Sequence, residues 1–374
     1  MRVSAQVTGW GKYLPGRIVT NDELAQLVDT SDEWIRSRTG IAARRVADAR
    51  ETTASMATRA ARHALAVAGL APQKLDLIIV ATATPDHILP ATACLVQDAL
   101  GASHAGAFDL SAGCSGFVYA LCLAAQTIAS GAYRSVLVIG AETLSRIVDW
   151  SDRDTCVLFG DGAGAVVLQA AEGSGGILSS VLGADGSGAK LLMVPAGGSQ
   201  RPASDASVKN REHYVRMDGR EVYRFATRVV ARASREVVEA AGLRLDQVKL
   251  FIPHQANLRI IETAAKELGV PRERFYVNLQ RYGNTSAASV PIALCEAVEE
   301  GRLSPGDHIV LVGFGAGLTW SAAVVRWGVP TPVPPVPPWR LALGWLGYRL
   351  AAVRSVVMRL LRKLDAWLSG PGPQ

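Results

Sequence analysis

The sequence predicts an α/β protein of two similar halves with a separate helix at its C-terminal end. Three observations predict it. Short, almost uninterrupted apolar runs alternate with longer segments of helical period, the pattern of a sheet buried on both faces by helices. A stretch near the middle of the chain is echoed near its end, 131–140 (GAYRSVLVIG) against 305–313 (PGDHIVLVG), as internal duplication requires. Six prolines between positions 330 and 338 then set a stiff spacer between this body and the final segment.

Taken in chain order, a helix is expected over Thr53–Ala68 and a strand over Leu75–Ala81 (LDLIIVA). Helices follow over Ala91–Leu100 and Phe117–Ser130, the latter apolar almost all round and therefore buried. Strands are expected at Ser135–Ile139 and Ala163–Gln169. Gly173, Gly175 and Gly176 mark a junction. It divides a first half, 1–174, from a second, 175–329. The second half repeats the alternation: helix Tyr223–Ala241, strand Lys249–Ile252, helices Leu258–Glu267 and Val290–Glu299, strands His308–Val312 and Ser321–Val325. Residues 330–374 form the Pro-rich linker and a basic, loosely amphipathic helix.

Composition narrows the class. Of the 374 residues 49% are hydrophobic and 19% charged, which suits a well-packed globular protein and excludes a disordered one. Five scattered cysteines without a CxxC pair argue against a disulfide framework and against a zinc site, so a reducing cytoplasm is expected. The N-terminus shows no long apolar run of the signal-peptide kind. Net charge is +6, of which +5 falls in residues 331–374. The body is nearly neutral and lacks the basic stripes of a nucleic-acid-binding domain.

Cys114 is the most informative residue. It lies in Asp109–Gly116 (DLSAGCSG), between a strand-like stretch and the buried helix. Unpaired N–H groups of the helix's first turn favour a thiolate there, and the thiolate is the nucleophile. A buried structural thiol is the plain alternative. Three further segments stand out: 251–257 (FIPHQAN), with His254 at a strand-to-helix turn, 281–289 (RYGNTSAAS), with Asn284 in a small-residue turn before another helix, and the Gly-rich 313–318 (GFGAGL) after a strand. Ligands gather at strand carboxyl ends in open α/β sheets. Cys, His and Asn also make up a papain-like triad, and 140 residues separate Cys114 from His254. The papain signature C-G-S-C-W is absent, however.

With these segments in view, 30–41 (TSDEWIRSRTGI), the Cys114 turn, 159–164 (FGDGAG), 254–260 (HQANLRI) and 283–289 (GNTSAAS) resemble β-ketoacyl-acyl carrier protein synthase III. This family initiates bacterial type II fatty-acid synthesis. The resemblance covers about residues 3–327. It implies a thiolase-type, five-layered αβαβα fold from two pseudo-repeated halves, usually a homodimer. The implied chemistry is ping-pong and needs no cofactor, coenzyme A thioester being a substrate. Cys114 takes the acyl group from acyl-CoA. His254 and Asn284 then stabilise the enolate made when malonyl-acyl carrier protein loses CO2. Backbone N–H groups of Cys114 and Ala316 would form the oxyanion hole for acyl transfer.

By the same resemblance Trp34 and Arg153 sandwich the coenzyme A adenine, Arg38 lies near its phosphates, and Gly219, Tyr223 and Ala256 line the pantetheine tunnel. Leu89 falls at a gate position of the acyl pocket. Arg224, Arg259 and Lys266 would attract the acidic carrier protein. Related enzymes with the same three residues serve polyketide pathways. Silent partner subunits of such pathways lose the Cys that this chain keeps.

For the tail the resemblance offers no guide. A Pro-rich spacer followed by a basic helix over 339–368, containing Trp339, Trp345, Tyr348 and Trp367, reads as an interfacial membrane helix at an anionic lipid surface. Packing on the enzyme body or a dimer mate is the competing expectation. Arg349, Arg354 and Arg359 argue against a membrane span.

Overall fold

The structure, a computed structural model, describes residues 3–173, 175–329 and 338–368. Two sheets carry it. The first contains β1 (Val3–Tyr13), β2 (Leu77–Ala81), β3 (Gly106–Leu110), β4 (Ser135–Glu142) and β5 (Gly162–Glu172), in the order β1-β5-β4-β2-β3. The second contains β6 (Gly176–Ala184), β7 (Val248–Pro253), β8 (His308–Gly315) and β9 (Thr319–Arg326), in the order β7-β8-β9-β6. Strands β1, β5, β4 and β2 pair antiparallel, antiparallel and parallel along the sheet. Strands β6, β9, β8 and β7 repeat that plan.

Helices α1 (Thr53–Ala68) and α2 (Thr92–Leu100) cover the outer face of the first sheet. Helices α3 (Gly116–Ala129) and α6 (Ser289–Glu299) lie between the sheets, and α4 (Gly219–Ala240) and α5 (Leu258–Leu268) cover the second. Five layers result. The ends of α1 follow from local chemistry. Thr52 and Ser55 form a reciprocal cap, and Gly69 closes the helix in the left-handed region at φ 63°.

Apolar strands buried on both faces match the sequence reading closely; the others escape it. Strand β1 mixes polar residues with Gly9 and Gly11. A Cβ at Gly9 would lie 2.2 Å from the Ala64 carbonyl oxygen, so glycine there lets α1 press onto the strand. Strand β6 is half exposed, and β3 is an edge strand with little burial.

The tail helix α7 (Pro338–Leu368) lies against α2 and α1. Arg62 stacks on Tyr348 with its guanidinium 4.3 Å from the ring centre, Ala351 meets Gly101, and Ser355 Oγ donates to Asp98 Oδ2 at 2.7 Å. On the side away from these contacts Leu350, Val353, Val357, Leu360, Leu361 and Leu364 are exposed. The Pro-rich segment 330–337 lies outside the described residues. No described helix is long and apolar enough to cross a membrane.

Candidate active site

Strand β3 delivers the chain to Gly113, whose φ of 52° turns it sharply into a single 3-10 turn, Gly113–Ser115, ahead of α3. Cys114 occupies that turn, 7% exposed. The loop after β8 wraps it so closely that a Cβ at Gly315 would lie 2.6 Å from the Cys114 backbone nitrogen. Ala316 packs against the same turn, its nitrogen 2.9 Å from a Cβ built at Gly113. Two hydroxyls pin the halves together: Ser115 Oγ and Thr319 Oγ1 lie 2.6 Å apart, and Thr319 Oγ1 donates to Ala112 O.

The thiol differs from the sequence expectation of a resting thiolate. Burial pushes Cys114 up to about 12, while the Ser286 hydroxyl beside its sulfur and its own N–H act in the opposite direction. Cys114 precedes the first helical residue and sits in a dry pocket, so desolvation outweighs the helix terminus. The thiol is the resting form.

His254 stands at the end of β7, its N–H donating to Val312 O at 2.7 Å. Its Nδ1 lies 2.6 Å from Ser289 Oγ, which also accepts the Gln255 N–H at 3.4 Å. With the Ser289 hydroxyl as donor, Nδ1 accepts and Nε2 carries the ring hydrogen. Phe314 meets the ring edge-on, 5.0 Å between centres. Burial pushes the His254 pKa down to about 3, so the imidazole is neutral. Asn284 is locked at its backbone by Leu158 O and Gly160 N. Its Oδ1 accepts the Ser286 N–H at 2.8 Å, which leaves Nδ2 to donate elsewhere.

Ser286 thus touches Asn284 through its backbone and Cys114 through its hydroxyl, and Ser289, one helical turn on, holds His254. The three residues singled out in the sequence converge on one short turn. Four supporting residues were not singled out: Glu142, Ser286, Ser289 and Phe314. An acid closing the all-apolar strand SVLVIGAE was the one visible signal among them.

Comparison with known proteins agrees with this geometry. Residues 108–186 match the family model of 3-oxoacyl-[acyl-carrier-protein] synthase III, and 238–327 match the model of its C-terminal part. The β-ketoacyl-[acyl-carrier-protein] synthase III of Caldanaerobacter subterraneus subsp. tengcongensis is 54% identical over 326 residues, covering 87% of this chain and 98% of that protein. That of Symbiobacterium thermophilum is 56% identical over 322 residues, covering 86% and 98%. The crystal structure of the Aquifex aeolicus synthase III superposes with a TM-score of 0.80 at 50% identity, covering 86% of this chain and all of that one. The chain belongs to the β-ketoacyl-acyl carrier protein synthase III family.

A synthase III is a condensing acyltransferase: it joins an acyl-CoA primer to malonyl-acyl carrier protein and starts fatty-acid synthesis. The papain-like reading fails on the fold, which is that of the thiolase-like enzymes. In this synthase III the short helix Asp32–Thr39 presents Trp34, with the Arg153 guanidinium 4.9 Å from the ring centre. Arg153 also donates to Asp29 O. The Arg38 side chain is exposed, and its carbonyl accepts from Asn257 Nδ2 at 3.1 Å. Trp34, Tyr223 and Ala256 border one apolar cluster, and Gly219 opens α4 one turn before Tyr223.

One expectation changes. Leu89 is 85% exposed, next to an equally exposed Ile88, so it does not gate the acyl pocket of its own chain. Of the carrier-docking cations, Arg224 is paired with Glu221 at 2.6 Å and Arg259 lies over Tyr223 at 5.6 Å. Lys266 is exposed on α5.

Proposed function

We propose that Cys114 is the acyl acceptor and that His254 and Asn284 stabilise the malonyl enolate in the condensation catalysed by this synthase III. The observation that carries the assignment is the buried His254 ring, its Nδ1 2.6 Å from Ser289 Oγ and its pKa pushed down to about 3 by burial, so that it is neutral. A neutral N–H and an amide N–H stabilise developing negative charge on a thioester oxygen without becoming protonated themselves. Backbone N–H groups of Cys114 and Ala316 serve the tetrahedral intermediate of acyl transfer. The reaction uses no cofactor, and coenzyme A leaves as the first product. Trp34, Arg38, Arg153, Gly219, Tyr223 and Ala256 bind coenzyme A; Arg259 and Lys266, with Arg224 beside them, favour the acidic carrier protein.

Residues 1–174 carry the nucleophile and 175–329 the His and Asn. A homodimer formed along the β3 edge would cover that strand and the exposed Phe108, Ile88 and Leu89, placing Leu89 at the partner's pocket. The enzyme is cytoplasmic, and α7 holds it at an anionic lipid surface through the exposed apolar stripe that its contacts with α2 leave free.

Acetyl-CoA and a panel of longer and branched acyl-CoA primers, followed by peptide mass spectrometry, test the nucleophile. The acyl group is expected on Cys114; acylation of Cys122 or Cys156 instead overturns the assignment. A priming role in polyketide assembly is the second reading. It is favoured by a TM-score of 0.82 at 40% identity to the priming β-ketosynthase of the R1128 polyketide pathway. The same primer panel separates the two.

A further inference from the structure

Glu142 is a buried carboxylate that the condensation scheme leaves without a task. Strand β4 carries it to the centre of the molecule, where it is 0% exposed. Two segments packed against it offer donors. Thr82 Oγ1, Ala83 N–H and Thr84 Oγ1 follow β2, at 3.3, 3.1 and 2.6 Å. The turn after Asn284 contributes Ser286 Oγ at 3.0 Å and the Ala287 N–H. No basic side chain hydrogen-bonds to it among the described residues. The titratable group facing it is the Cys114 thiol, which senses its charge.

Ser286 stands between them. It is one of two non-glycine residues with positive φ among the described residues, at 47°, a conformation that costs energy and is kept where the surroundings demand it. Its hydroxyl gives its proton to Glu142 Oε1, and its turn packs against the turn that carries Cys114. A hydroxyl that donates to one neighbour still has lone pairs for the other. The order thiol, hydroxyl, carboxylate is therefore a proton wire in the right direction. His254 is a poor acceptor for this proton, because burial pushes its pKa down to about 3.

We propose that Glu142, acting through Ser286, accepts the Cys114 proton during acyl transfer from coenzyme A and returns it when condensation expels the Cys114 sulfur. The inference rests on Cys114 being the acyl acceptor. In the first half-reaction the Sγ–H proton moves to Ser286 Oγ as the Ser286 proton moves to Glu142. The Sγ electron pair attacks the thioester carbonyl, the C–S bond to coenzyme A breaks, and the departing thiolate takes a proton from water. In the second half-reaction malonyl-acyl carrier protein loses CO2 and the enolate carbon attacks the acyl carbonyl. The Cys114 C–S bond breaks, and the thiolate recovers its proton from Glu142 by the reverse path. One proton from water is consumed per turnover, as the net condensation requires.

Burial raises Glu142 to about 7, against the pull of its donors, so it can gain and lose a proton near neutrality. The resting thiol, pushed up to about 12, needs such an acceptor.

The test measures single-turnover acylation by acetyl-CoA across pH 6–9, with primer-free decarboxylation of malonyl-acyl carrier protein as a second readout, in the parent, Glu142→Gln and Ser286→Gly. Glycine removes the hydroxyl and suits the positive φ. Parent acylation is expected to rise to a plateau near pH 7. Both variants should acylate at least about 10-fold more slowly at pH 7, the lower end for lost acid–base assistance. They should gain about tenfold per pH unit, as direct thiol ionisation dictates, so the deficit closes at high pH. Decarboxylation should stay within about threefold of the parent. Parental acylation at pH 7, a deficit of the same factor at every pH, or an equal loss in both readouts overturns the relay. If the parent itself does not acylate Cys114, the assignment of the nucleophile fails instead.

Discussion

Ser289 Oγ lies 2.6 Å from His254 Nδ1 and accepts the Gln255 N–H at 3.4 Å. With the hydroxyl as donor to the ring, Nε2 carries the imidazole hydrogen. Ser289→Ala should slow malonyl-acyl carrier protein decarboxylation about 10-fold, while His254→Ala and Asn284→Ala slow it by about 10²–10³-fold, the scale for a missing oxyanion donor. Cys114 acylation should suffer less in all three. Equal loss in both half-reactions would show that these residues act chiefly on the thiol.

Trp34 and Arg153 are in contact 4.9 Å apart. Adenine entering between them would replace a cation–π contact by two stacking contacts. Trp34→Ala should raise the KM for acyl-CoA severalfold and leave the KM for malonyl-acyl carrier protein unchanged, since only the first donor carries adenine. Steady-state kinetics with each substrate varied in turn checks this, and an unchanged acyl-CoA KM returns Trp34 to a packing role.

How much of this was legible in the sequence depends on where each residue's partners lie. Cys114 and His254 were visible because each follows a strand end, and Asn284 because it sits in a small-residue turn, which the structure places after the short helix Leu279–Tyr282. The runs 135–140 and 308–313 were visible as strands because they are buried on both faces. Strand β1 was hidden by glycines that α1 requires, and β6 by its exposed face. Ser286 and Ser289 read as two members of a Ser/Ala run, since their partners Glu142 and His254 lie far along the chain. The resting state of Cys114 was misjudged because local position suggests the helix terminus, whereas desolvation depends on everything packed above it.

Two of the buried titratable groups, His254 and Glu142, pull stability in opposite directions with pH. Folding lowers His254 from 6.5 to about 3, so the unfolded chain binds a proton the folded one does not. Its contribution is complete above pH 6.5 and fades as pH falls toward 3. Folding raises Glu142 from 4.5 to about 7, so its contribution is complete below 4.5 and is lost as pH rises through 7. Glutamine cannot ionise. The urea midpoint of Glu142→Gln, measured against the parent, should therefore improve between pH 5 and 7 and level off above. A difference independent of pH would mean that Glu142 keeps one protonation state in the fold.

The tail helix offers a surface with its own logic. Leu350, Val353, Val357, Leu360 and Leu364 recur at alternating intervals of three and four, all exposed, on the side opposite Tyr348, Ala351 and Ser355. Arg349, Arg354 and Lys363 flank this stripe. A second copy of the helix laid along it would bring like charges together, which is unfavourable at such flanking positions, whereas an anionic lipid surface accepts both the stripe and its basic borders. Full-length protein is expected to co-sediment with vesicles containing phosphatidylserine, to bind neutral vesicles less, and to be released by salt as surface electrostatics require. Protein ending at residue 329 should stay in the supernatant, as should full-length Val357→Glu/Leu360→Glu, with condensation activity in solution unchanged. If the full-length protein also stays in the supernatant, lipid attachment is wrong. If instead it sediments as a larger species without lipid and the stripe variant does not, the stripe joins copies of this chain.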